Sequence, residues 1–303
     1  MHNQPRWKIA CALGAVYLIW SSTYLAIRVG VETLPPFLMA GVRYLVAGAV
    51  LYGWLWLRGT AKPARIHWRS ATIVGAAMLL GGNGAVCWAE QRVPSGLTAL
   101  IIGTTPLWFA VFDWRLHGAG RPTGRTVIGL ICGFVGVGLL VSPGEFAGGR
   151  HVDLVGAAVL MGAAMSWAAG SLYSRTAALP ESPWMATAME MLAGGVVLLI
   201  ASGLTGEWSR AGHLDVSLRS ALALVYLIGP GSLIAFSAFT WLLRATSTAV
   251  VSTYAYVNPV LAVVLGWWLL GEPVTPRVVL AATAIIVAVM VLVSRPAKPA
   301  TTS

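Results

Sequence analysis

Charge is what this chain has least of. Asp, Glu, Lys and Arg together make up 10% of its 303 residues, where a soluble domain carries about 25%, so an ordinary soluble fold is excluded. Histidine is scarce as well. His2, His67, His117, His151 and His213 all fall in loops or at a terminus, which leaves no buried imidazole cluster to hold a metal. The three cysteines, Cys11, Cys87 and Cys132, sit singly inside apolar runs, with no CxxC pair or disulfide framework, and read as small packing residues. GxSxG, HExxH, Walker and Rossmann patterns are missing. No polar segment between apolar runs exceeds about a dozen and a half residues, which is too short for a soluble catalytic or nucleotide-binding domain. No cofactor is expected, and the function is not expected to be enzymatic.

What is present is apolar length. Uncharged runs cover 9–27, 70–89, 93–112, 126–144, 154–174, 220–243, 245–271 and 278–294, and two more, 33–57 and 182–206, are broken only by Arg43 and by Glu190. Each can cross a hydrocarbon core of about 30 Å at about 1.5 Å per residue. The sequence therefore predicts an all-α integral membrane protein with ten transmembrane helices. The first run is followed by no A-x-A site and is expected to stay as a helix rather than be cleaved. Thirteen Lys and Arg fall on the side of the termini and six on the other, which predicts both termini in the cytoplasm of a bacterial inner membrane. The net charge of +10 is thus a topology signal, and no nucleic-acid partner is expected. The expected partners are the lipid bilayer and a small-molecule substrate, with a monomer among the allowed states.

The two halves of the chain can be superposed as sequences. At a shift of 147, Trp20 meets Trp167, Arg28 meets Arg175, Pro36 meets Pro183, Leu45 meets Leu192 and Gly48 meets Gly195. At a shift of 153, Pro106 meets Pro259, Trp114 meets Trp267 and Gly118 meets Gly271. Generic apolarity explains matched leucines but not tryptophan, proline and arginine recurring in order. The expected domains are a first repeat, 1–147, and a second, 148–303. Five helices per repeat is an odd number, so the second repeat enters the membrane from the opposite side, as in secondary transporters whose site lies near the midplane.

The stretches IWSSTYLAIRVGVETLPPFLMAGVRYLVAGAVL and YAYVNPVLAVVLGWWLLGEPVT resemble the EamA family of the drug/metabolite transporter superfamily, closest to its bacterial group of amino-acid exporters. The matching positions are Trp20 with Ser21, Ser22 and Thr23; Pro35 and Pro36; Arg43; Asn258 and Pro259; and Gly271 with Glu272. The resemblance implies a ten-helix exporter with a central cavity, driven by a proton gradient or facilitated, and names no substrate. At the position equivalent to Gly271–Glu272 the first half has Gly118–Ala119, so a symmetric Gly-Glu gate is not expected.

Polar and aromatic residues inside the spans are the candidate site. Asn83 and Asn258 need partners in hydrocarbon and either bond between helices or face a cavity. Pro106 and Pro259 each remove a helical hydrogen bond at equivalent positions and are candidate hinges or kinks. Trp20 and Trp167 are interior and repeat-equivalent. They either pack helices or, with Trp88, Tyr254 and Tyr256, form a wall for an amphipathic solute. GGNGAV at 81–86 reads as small residues for close helix contact. Arg43 and Glu190 are counterparts at the 147 shift, and the predicted depths leave three roles open: a structural ion pair, the two ends of a zwitterionic substrate, or proton coupling through Glu190. The substrate class this suggests is amino acids, aromatic and other neutral ones. A broader drug or metabolite exporter is the nearest alternative, and a polytopic membrane enzyme the alternative of a different class.

Overall fold

The computed structural model describes residues 5–117, 124–141, 153–211 and 215–293. Among these every regular element is helical. Seven helices are long and apolar enough to cross a membrane: α1 (Arg6–Gly30), α2 (Pro36–Leu57), α3 (Arg65–Ala89), α4 (Ser95–Arg115), α6 (Leu154–Thr176), α7 (Pro183–Leu204) and α8 (Leu218–Ala245). Three more apolar helices are shorter: α5 (Gly124–Val141), α9 (Tyr254–Leu270) and α10 (Pro276–Val293). Large apolar side chains such as Leu57, Ile131, Val196, Leu204 and Trp268 point outward. A water-soluble protein would not leave so many uncovered, whereas a lipid-facing surface requires them.

The boundaries follow from local chemistry. Pro36 and Pro183 open α2 and α7 at the first helical position, where the missing N–H costs nothing. Ser182, Ser217 and Asp153 accept from backbone N–H groups of the first turns of α7, α8 and α6. Just past the ends of α2 and α7, Gly59 and Gly206 adopt φ of +72° and +73°, a left-handed conformation in which a side chain would be strained.

Carboxylates from elsewhere in the chain cap two other helices. Glu207 accepts from the N–H groups of Phe37 and Leu38 at the start of α2. Glu272 accepts from Ser95 N (2.8 Å), Ser95 Oγ (2.8 Å) and Gly96 N (3.0 Å) at the start of α4. In both places a negative charge meets unsatisfied donors at the positive end of a helix.

The helices pack in reciprocal pairs. α2 lies along α7, and α5 along α10. α1 contacts α8 and α9, while α6 contacts α3 and α4. At the α2–α7 crossing, a Cβ placed on Gly48 would stand 2.8 Å from the backbone N of Leu192, and one on Gly195 would stand 2.8 Å from the backbone N of Leu45. These are backbone-to-backbone contacts of the kind small residues permit in membranes. At the α5–α10 crossing, a Cβ on Gly136 would meet Ile285 and one on Gly133 would face Ala288.

Three helices are irregular where they pass the centre. α3 is wound as a π-helix over Ala76–Gly84, and α8 over Leu227–Phe236, which contains Pro230. α4 breaks at Gly103–Thr104, and its second segment, Thr105–His117, carries Pro106 in the first turn. A Cβ on Gly103 would stand 3.0 Å from the ring of Pro259, so the break in α4 lies against the proline of α9.

Candidate functional site

The site is assembled from the interrupted stretches of these helices. α1 carries Trp20, Ser21, Ser22 and Thr23, whose hydroxyls first satisfy themselves along the helix. Ser21 donates to the Tyr17 carbonyl, Ser22 to Ile19 O (2.7 Å) and Thr23 to Trp20 O (2.7 Å). Ser22 Oγ also meets Tyr226 Oη of α8 at 2.6 Å, and Ser21 Oγ lies 3.3 Å from the side-chain amide of Asn258 on α9. With its nitrogen turned toward α1, that amide donates to the carbonyls of Tyr17 (3.3 Å) and Tyr254 (3.2 Å). Asn258 is thus a link between α1 and α9 and does not line the cavity.

A cavity of about 50 Å³ lies between α1, α2, α3, α4, α6 and α9. Of the residues singled out by sequence, Trp20, Arg43, Asn83, Trp167 and Tyr254 line it. Tyr24, Thr23 and Tyr44 also line it, and sequence reasoning missed all three. Arg43 is the one charged residue of the lining. It is 1% exposed, donates from Nε to Ser232 Oγ (2.8 Å) and from Nη1 to Asn83 Oδ1 (3.3 Å), and lies 4.7 Å over the Tyr44 ring. Two of its partners come from the π-wound stretches of α3 and α8. Ser232 Oγ in turn donates to Leu227 O (2.9 Å), five residues back, and Trp20 Nε1 donates to Gly231 O (3.4 Å). A π-turn presents backbone groups that a regular helix would keep to itself. Glycine runs mark both stretches, GGNG at 81–84 and GPGS at 229–232. The first does provide close contact, since a Cβ on Gly82 would run into the Trp167 ring (2.8 Å), but it also marks the rewound backbone.

The aromatic wall is continuous. The Trp20 and Trp167 rings meet edge to face, with centroids 5.4 Å apart at 81°, and Trp20 meets Tyr254 at 5.6 Å and 88°. Phe239 of α8 fills the angle, 4.9 Å from Trp20 and 5.4 Å from Trp167. The Trp167 indole nitrogen is buried, with the Tyr254 hydroxyl within its reach.

The remaining sequence candidates lie elsewhere. Glu190 does not meet Arg43. It is buried on α7 within electrostatic reach of Arg244, and its Oε2 has no hydrogen-bond partner among the described residues. The shared register at the 147 shift predicted similar depth but not azimuth, and α7 turns this face toward the lower part of α8 instead. Trp88 stands away from the cavity, covered by the Arg92 guanidinium at 4.8 Å. The side chain of Tyr256 lies outside the described residues. Pro259 is placed at the α4–α9 contact, against Gly103, and neither it nor Pro106 is in the cavity lining.

An all-helical bundle with lipid-facing flanks, three irregular helices and a cationic and aromatic cavity between them defines a polytopic membrane protein of the transporter class. The chain belongs to the EamA-like transporter family, whose family model matches residues 6–142 and 154–294. It is 42% identical over 294 residues to the inner membrane transporter YedA of Escherichia coli strain K12, covering 95% of this chain and 92% of that one. It is 28% identical to the transporter YvbV of Bacillus subtilis strain 168 (91% and 88% covered) and 27% identical to the protein PecM of Dickeya dadantii strain 3937 (84% and 82% covered). One solved crystal structure superposes with a TM-score of 0.64 at 21% identity over 94% of this chain and 96% of that one, a likeness of fold. The protein is therefore a multi-pass transporter of the inner membrane, in keeping with its relatives.

Proposed function

We propose that the chain is a secondary transporter exporting small amphipathic metabolites that carry a carboxylate, amino acids with aromatic or aliphatic side chains first, by alternating access around the central cavity. The observation that carries this reading is the lining. Arg43 is a permanent cation, set among Tyr24, Tyr44, Trp20, Trp167 and Tyr254, with the buried Trp167 indole N–H as a second donor. A guanidinium in a dry site pairs a carboxylate strongly, and aromatic faces accept an apolar body or, through cation–π attraction, an ammonium. Glu190, which sequence offered as the ammonium partner, lies outside the lining, so in this proposal the ammonium rests on ring faces.

The cavity as it stands is contracted. A cavity that takes up a benzene ring measures about 150 Å³, against about 50 Å³ here. Loading a substrate therefore requires the aromatic wall to part. The inverted repeat supplies a way to do so, with domains 1–147 and 148–303 rocking against each other. Reciprocal contacts between Gly48 and Leu192 and between Gly195 and Leu45 support it, because a two-fold relation between halves makes each contact recur with its partners exchanged. The loop basic residues support cytoplasmic termini, which places the Gly30 end of α1 at the periplasm.

The test is counterflow in proteoliposomes with a panel of aromatic and aliphatic amino acids, their amides, and aromatic acids lacking the amine. Saturable exchange of the acids and loss with the amides is expected. Equal exchange of acids and amides would remove the carboxylate reading, and absence of any counterflow would remove the carrier.

A further inference from the structure

Glu90, just past the end of α3, is fully buried (0% exposed), and neither of its carboxylate oxygens has a hydrogen-bond partner among the described residues. The contrast with its neighbours is sharp. Glu272, across the same mouth, spends both oxygens on the first N–H groups of α4. Arg28 of α1 reaches the Glu90 main-chain carbonyl, not the carboxylate. The groups within electrostatic range are Tyr24 and Arg28 from α1, Cys87 from α3 itself, and Glu272 from the turn after α9. Arg92, two residues on, is engaged 3.3 Å away by Asp153 at the start of α6. An ionised carboxylate in this buried position, with no hydrogen-bond donor to it among the described residues, would cost many kcal/mol, which favours the protonated form.

Two features join this proton to movement. Glu90 lies five residues before Ser95, the residue that Glu272 holds through its backbone N and its hydroxyl. Drawing the start of α4 away from Glu272 breaks the latch and lets water reach Glu90. Water, together with the Arg28 cation already beside it, then favours the ionised form. Tyr24 lies on the path inward, since it lines the cavity and also stands in the field of Glu90.

We propose that Glu90 is a proton-binding site, protonated while the Glu272–α4 latch is closed and deprotonated when this mouth opens, so that opening toward the periplasm is linked to release of one proton. The proton leaves the carboxylic acid for water entering the mouth, and no other bond changes. The closed state binds the proton more tightly, so acid favours the closed mouth and rising pH favours the open one, up to the pH at which the closed form also ionises. Linkage to opening rests on the alternating-access reading, whereas the proton site itself does not.

The experiment uses full-length protein in lipid nanodiscs. Infrared spectra are taken in a Glu190→Gln background, which removes the other buried, underpartnered carboxyl among the described residues. A protonated-carboxyl band at neutral pH is expected, lost in Glu90→Gln and bleached at lower pH in Glu272→Gln. In parallel, Val93→Cys in a chain freed of its native cysteines is labelled from outside. Each rate is scored against the same cysteine in denatured protein at that pH, which cancels the thiol's own ionisation. Labelling is expected to rise by up to about tenfold per pH unit, the limit for a one-proton linkage, and to become independent of pH in Glu90→Gln. A band unaffected by Glu90→Gln overturns the site, and an unchanged labelling profile overturns its linkage to opening. Should Glu90→Gln not fold, absence of any titrating carboxyl band in the Glu190→Gln protein overturns the site equally. A protein that shows the band but no counterflow would keep the proton site and lose the transport reading.

Discussion

Arg43 divides its donors between Asn83 of α3 and Ser232 of α8, so one side chain ties α2 to both rewound helices. A cation at mid-helix costs about 2.5–3.5 kcal/mol on insertion scales, and polar partners with the Tyr44 face offset part of that cost. Removing the guanidinium leaves an amide and a hydroxyl short of one partner each, and interhelical hydrogen bonds in membranes are worth about 0.6–2 kcal/mol. Arg43→Ala is therefore expected to lower stability by about 1–3 kcal/mol while folded yield is retained, and to abolish saturable counterflow. Fully active Arg43→Ala protein would remove the functional role. Because Glu190 lies beside Arg244 and not beside Arg43, losses in Arg43→Ala and Glu190→Gln should add to within about 0.5 kcal/mol. Thermal unfolding of the four proteins of the cycle in detergent checks this. A strong coupling would restore the ion pair that the geometry denies.

At the scale of elements, the α2–α7 crossing depends on two glycines and the α1–α8–α9 corner on hydroxyls. Leucine at Gly48 or Gly195 would have to displace the facing backbone, not a flexible side-chain end, and overpacking of this kind costs about 1–3 kcal/mol or more. Gly48→Leu and Gly195→Leu are expected to cut folded, monodisperse yield sharply. Gly53→Leu, with open space on the same helix, should leave yield near wild type, as size-exclusion profiles would show. Equal yields for all three would mean that α2 and α7 are held by other contacts. The irregular stretches of α3 and α8 belong to this scale too. Their glycines are plain in the sequence, yet the choice between a straight helix with small residues and a π-wound one depends on what presses from outside. Here that is Ser166 and Trp167 against Gly81 and Gly82, and Thr23 and Arg43 against Gly231.

For the molecule as a whole, the distribution of Lys and Arg predicts which face is which. Reporter fusions at 60–64 should read cytoplasmic and those at 205–211 periplasmic. A cytoplasmic reading at both would break the ten-helix scheme and the inversion with it. Membership of the family and the all-helical membrane fold were legible from composition, run length and the two quoted stretches alone. Hydrocarbon admits few structures, so twenty apolar residues in a row already dictate a helix, and this part of the fold needed no tertiary information. The cavity was legible in part. Trp20, Arg43, Asn83, Trp167 and Tyr254 stood out because a polar or bulky aromatic residue inside a span has few cheap places to be. Azimuth was not legible. A residue's depth follows from counting along its helix, but which neighbour it faces depends on how each helix is rotated and rewound against the others. Tertiary packing alone therefore turned Glu190 toward Arg244, set Asn258 between α1 and α9, brought Tyr24 and Tyr44 into the cavity wall, and left the carboxylate of Glu90 buried and without a partner among the described residues.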